Sequence, residues 1–115
     1  MAGVPSRGEI WWVSLDPVRG HEQAGTRPVL VLSTDTFNRG PADLAVVVPL
    51  TRTRSGIRFH VPVSPPEGGL SDHSYIKCEN IRLVSISARF RDYLGTVSAA
   101  TMAAVEDRIR ILLGL

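Results

Sequence analysis

Apolar residues fall in short blocks separated by polar breaks rich in glycine and proline. Glu9–Leu15 (EIWWVSL) is dense in β-formers and predicts a first strand that Asp16-Pro17 ends. Val18–Thr26 is a polar loop. Pro28–Ser33 is a second strand, and its unbroken Val/Leu run implies cover on both faces. Ser33–Gly40 predicts one helical turn, capped by Thr34 or Asp35 and stopped at Gly40. Asp43–Leu50 is a third apolar strand, which Pro49 should end or bulge. In Ile57–Val63 the residues alternate: Ile57, Phe59, Val61 and Val63 share one face, Arg58 and His60 the other, the pattern of a half-exposed antiparallel strand. Ser64–Asp72 is a loop, Ser74–Ile86 holds one or two strands, and Tyr93–Val97 adds a short last one.

After Ser98, a good N-cap, Met102, Val105, Ile109 and Leu112 form one apolar stripe, with the Glu106/Arg110 pair on the wetter side and Gly114 past the end. This pattern predicts a helix packed on a sheet. There are no repeats or linkers, so residues 1–115 are one domain, with 1–6 a flexible start. The expected fold is mainly β with a C-terminal helix, the many short strands closing into a small barrel.

Composition narrows the function. No apolar run reaches the roughly 20 residues that span a bilayer, and the N-terminus lacks the apolar stretch of a signal peptide, so a cytoplasmic protein without membrane attachment is expected. The single cysteine, Cys78, excludes an internal disulfide and reads as a core residue. Net charge is only +2, but twelve of the thirteen basic residues are arginine, from a taste for phosphate or from GC-rich codons. From Leu50 to Arg91 seven basic residues face three acids, which favours a polyanionic partner.

The chain carries no Walker A or dinucleotide glycine pattern, no nucleophile elbow, and no His/Cys set at metal-ligand spacing. What remains are arginines, hydroxyls and small polar groups at loop ends. The Gly20–Pro28 stretch (GHEQAGTRP) stands out: Pro28 biases Arg27 towards extended backbone, so a guanidinium sits at the mouth of a strand beside His21, Glu22 and Gln23. An ordinary solvated hairpin loop accounts for the same residues. That inventory is enough for chemistry on RNA, whose 2′-hydroxyl is its own nucleophile. Arg27 then neutralises the phosphate, Thr51 holds a phosphate oxygen if the second and third strands pair, and Glu22 or His21 takes the proton. As a bland alternative, Thr51 is a turn residue. Trp11 and Trp12 are either base-stacking platforms or, as preferred here, core and interface residues.

The runs Arg7–Val13, Leu15-Asp16-Pro17, Gly20–Gly25 and Arg27–Leu32 resemble the MazF/PemK family of toxin endoribonucleases, as do Val48–Thr51, Glu79–Arg82 and Leu94–Ser98 with the helix that follows. The resemblance covers about Arg7 to Leu115. It implies an SH3-like or CcdB/PemK-like barrel, a homodimer, and sequence-specific cleavage of single-stranded RNA, usually mRNA, to 2′,3′-cyclic phosphate and 5′-hydroxyl ends without metal or other cofactor. It places the family's catalytic arginine, threonine and loop glutamate on Arg27, Thr51 and Glu22. His21, Gln23 and Asn80 are then candidates for reading bases, and Arg52, Arg54 and Lys77 for backbone contacts. Many relatives carry Asp-Gln where this chain has Glu79-Asn80, and the shorter amide points to an altered sequence preference. The implied partner is an antitoxin with a disordered, acidic C-terminal segment.

Three other readings compete. One is a CcdB-like gyrase poison, although the ending Ile111–Leu115 lacks that branch's terminal tryptophan. A second is a catalytically silent RNA- or antitoxin-binding module. The third is a ribonuclease built on His60 and His73.

Overall fold

The computed structural model describes residues 3–15 and 25–115. Among these residues seven strands form one antiparallel sheet: β1 (Glu9–Ser14), β2 (Thr26–Val31), β3 (Leu44–Thr51), β4 (His60–Val63), β5 (Ser74–Lys77), β6 (Arg82–Ser85) and β7 (Phe90–Thr96). Among the described residues the hydrogen-bonded path is open and runs β4-β5-β3-β2-β1-β7, with β6 also on β3. Among the described residues three α-helices decorate it: α1 (Asp35–Asn38), α2 (Ile86–Arg89) and α3 (Ala99–Leu113). No helix among the described residues is long and apolar enough to cross a membrane.

The central strands are apolar without alternation because both of their faces are covered. In register, Ile10 pairs with Leu30 and Leu30 with Val48; this row belongs to one core, which α3 closes with Val105, Met102 and Ile109. The next row, Trp11, Val29 and Pro49, faces the other way, where Trp11, Val29, Val47, Val84 and Ile86 make a second core. Trp11 stacks edge-on against Phe90 and Tyr93 of β7, with ring centroids 5.7 and 5.8 Å away.

Several expectations are corrected. Pro49 does not end β3; it is buried inside the strand, opposite Val29. The interruption falls on the neighbour instead. β3 pairs β6 along residues 44–47 and β5 along residues 50–51, so the 78–81 turn bridges the gap beside Val48 and Pro49. The alternating Ile57–Val63 segment is a strand only from His60. Ile57, expected inside, is 45% exposed, whereas the His60 side chain, expected outside, is 5% exposed. The last strand begins at Phe90, earlier than expected, because it pairs along β1. In α3, Ser98 and Gly114 cap as expected, but Glu106 reaches Arg7 rather than Arg110, and Leu112 lies largely outside the core. Pro5 and Ser6, expected within a flexible start, are tied to the fold: Pro5 is buried, its carbonyl accepts from Asn38 Nδ2 (2.9 Å), and Ser6 N–H donates to Glu9.

Glycine is required where the 67–69 turn meets β7. A Cβ on Gly69 would lie 2.0 Å from the Leu94 carbonyl oxygen, and one on Gly95 would lie 2.5 Å from the Gly68 backbone. Gly69 also has φ +71°, in the left-handed region. Glu67 then caps α3: its Oε2 accepts from Ser98 N–H (2.9 Å) and from the Thr101 hydroxyl. Those bonds hold the Glu67 carboxyl below its ordinary 4.5.

Candidate active site

The core register aims the polar ends of β2 and β3 at one place. Val29 pairs with Pro49, and the same antiparallel register, continued for two residues, sets Arg27 opposite Thr51. Thr51 in turn pairs with Tyr75 of β5, and Arg27 with Val13 of β1. Both residues line a cavity of about 310 Å³, Arg27 exposed and Thr51 half-buried. The Thr51 hydroxyl accepts from Thr53 N–H at 3.2 Å, which turns the chain after β3 and orients the side chain.

Trp12, Pro28 and Leu50, the row beside Arg27 and Thr51, supply an apolar wall. Leu70, Ser71, Asp72 and Ser74 form the facing wall, held there by the close packing of Gly69 on β7. Arg52 at the rim meets Asp72 at 3.5 Å, a well-solvated pair that contributes little to stability. Two arginines against one carboxylate leave the described lining net positive, suited to an anionic ligand.

Of the sequence-derived candidates, Arg27, Thr51 and Arg52 come together in this cavity. Arg54, Lys77 and Asn80 do not line it: Arg54 lies on the exposed segment after β3, Lys77 ends β5, and Asn80 lies on the turn that follows. Glu22, His21 and Gln23 lie outside the described residues; the chain returns at Gly25, whose carbonyl accepts from Leu15 N–H, immediately before Thr26 of the cavity lining. Neither His60 nor His73, the pair of the histidine-based reading, lines the cavity that holds Arg27. Trp12, expected in core or interface packing, is 37% exposed at the cavity wall, while its neighbour Trp11 is buried on the other face. The 70–74 wall escaped the sequence reading altogether; its signal was the Gly68-Gly69 pair, a mark of close backbone approach rather than of a plain loop. Cys78 is fully buried, and burial pushes its thiol up to about 12, which leaves it inert.

The fold is that of a known class. Residues 6–113 match the family described as PemK-like, MazF-like toxins of type II toxin-antitoxin systems, and the chain belongs to that family. It is 40% identical over 108 residues to endoribonuclease PemK of Escherichia coli, covering 93% of this chain and 80% of that protein. It is 35% identical over 114 residues to endoribonuclease MazF9 of Mycobacterium tuberculosis, covering 95% and 96%. Among solved structures, MazF from Deinococcus radiodurans superposes with a TM-score of 0.88 at 30% identity over 98% of this chain and 99% of that one. The MazE-MazF complex from the same organism superposes with a TM-score of 0.82 at 31% identity, covering 98% of each chain.

Proposed function

We propose that this chain is an endoribonuclease toxin that cuts single-stranded RNA by attack of a 2′-hydroxyl on the adjacent phosphate, without a metal. The observation that carries the reading is the convergence of Arg27 and Thr51 on one cavity through the register of β2 and β3. In the reaction the 2′-oxygen bonds to phosphorus, the bond from phosphorus to the 5′-oxygen breaks, and the products are a 2′,3′-cyclic phosphate and a 5′-hydroxyl. The 2′-hydroxyl proton passes to Glu22 or His21, and the departing 5′-oxygen takes up a proton.

Arg27 supplies charge to the crowded phosphate rather than a proton, because a guanidinium stays protonated through the whole working range. Thr51 donates its hydroxyl to a phosphate oxygen and fixes the in-line geometry. Arg52 and the apolar wall of Trp12 hold the flanking nucleotide, and His21, Gln23, Asn80, Arg54 and Lys77 remain the candidates for the other base and backbone contacts. The active form is a homodimer. Its partner in the cell is an antitoxin whose acidic, disordered C-terminal segment competes with RNA for the cationic rim; similar chains have been solved as MazE-MazF complexes.

The test is cleavage of a long, unstructured RNA by purified protein in EDTA, with the ends mapped, beside Arg27→Ala. Cuts at one short motif with cyclic-phosphate ends, lost in the variant, are expected. A folded protein that leaves the RNA intact would overturn the proposal.

A further inference from the structure

His60 opens β4 with its side chain 5% exposed. Its Nε2 lies 3.0 Å from Glu79 Oε2, and its Nδ1 lies 3.3 Å from the Ser55 hydroxyl. The three residues come from separate segments: Ser55 from the exposed stretch after β3, His60 from β4, Glu79 from the turn between β5 and β6. None of the three lines the cavity with Arg27 and Thr51, so none touches the reacting phosphate. Each side of the bridge nevertheless borders groups proposed to hold RNA. Ser55 directly follows Arg54 and lies three residues after Arg52, and Glu79 directly precedes Asn80.

We infer that His60 is a positioning residue for RNA selectivity: through Glu79 and Ser55 it sets the base-reading turn at Asn80 relative to the arginine-bearing segment 52–55. The inference rests on the proposed RNA-cleaving function. The imidazole is suited to the task in either protonation state. Neutral, it donates from Nε2 to Glu79 and accepts at Nδ1 from the Ser55 hydroxyl; protonated, it donates at both ends and the Ser55 oxygen accepts. The surrounding charges are Lys77, its cross-strand partner, and Arg108 of α3, whose Nε donates to the Arg58 carbonyl. Glu79 depends on the bridge. The side chain is 30% exposed, but its Oε1 is buried without a hydrogen-bond partner among the described residues, so losing His60 would also take away the hydrogen bond at Oε2. The 78–81 turn would then have to swing to rehydrate the carboxylate and carry Asn80 with it.

The experiment first establishes Arg27-dependent cleavage by the wild type, whose absence would overturn the function itself. It then compares His60→Leu, His60→Gln and Ser55→Ala on an oligonucleotide holding the preferred motif, with cut sites mapped on a long RNA. His60→Leu should raise KM roughly tenfold, with kcat within about threefold, and broaden the cut sites. His60→Gln, which keeps a donor towards Glu79, should restore most of both. Ser55→Ala removes only the exposed end of the bridge and should raise KM by about threefold. A folded His60→Leu with wild-type KM and cut pattern would sink the idea, as would a fall in kcat at constant KM. Should His60→Leu not fold, Ser55→Ala decides: wild-type KM and pattern would overturn the positioning role.

Discussion

One register serves two opposite environments within β2 and β3. At Val29 and Pro49 the sheet is covered by Trp11, Val47 and Val84, and both residues are buried. Two residues further along the same strands, at Arg27 and Thr51, the cover has ended and the positions look into a cavity. The apolar pairs set the alignment, and the polar pair inherits it. A side chain on a strand is placed by the packing of its neighbours, so the site borrows its precision from the core at no cost in buried charge. The lesson is that the two regions should separate under mutation: changes at the covered end act on stability, and changes at the open end on chemistry.

The sharpest separation comes from Leu30, buried where β2 crosses the core under α3. Leu30→Ala should cost about 2–5 kcal/mol, read as a lower urea midpoint, with any activity loss tracking the unfolded fraction. Arg27→Ala should do the reverse. Cleavage should fall by roughly 10²–10³ while the melting temperature stays at the wild-type value; a large loss of stability would break the division between the two regions. Thr51→Val keeps the shape and removes the hydroxyl. A drop of roughly tenfold in kcat with KM little changed is expected, because one hydrogen bond to the phosphate is lost.

The smallest effect concerns the link between the cavity wall and α3. The Glu67 carboxyl lies below its ordinary 4.5 in the folded chain, so the ionised form is favoured by folding. Its contribution is complete above that ordinary value and is lost as pH falls through the lowered one. Glu67→Gln should therefore flatten the acid limb of stability, measured by urea midpoints from neutral pH downwards. Ser98→Ala should cost about 1 kcal/mol throughout by removing the N-cap.

Much of this was legible before any coordinates. The unbroken runs of β2 and β3 declared cover on both faces, Ser98 and Gly114 marked both ends of α3, and Arg27, Thr51 and the block order pointed to the family. Local pattern reports such features because each depends on a few neighbouring residues. The sequence alone also placed a guanidinium at the mouth of a strand through Pro28. Only the tertiary structure decided which strand would sit beside which, and with that the register that sets Arg27 against Thr51. It decided that Trp12 faces the cavity and Trp11 the core, since two adjacent tryptophans look alike until the faces of the sheet are known. It also turned His60 inward, against its alternating pattern, because Glu79 arrives from a distant turn to accept its hydrogen bond. Periodicity describes one strand, whereas burial and pairing depend on what the rest of the chain brings to it.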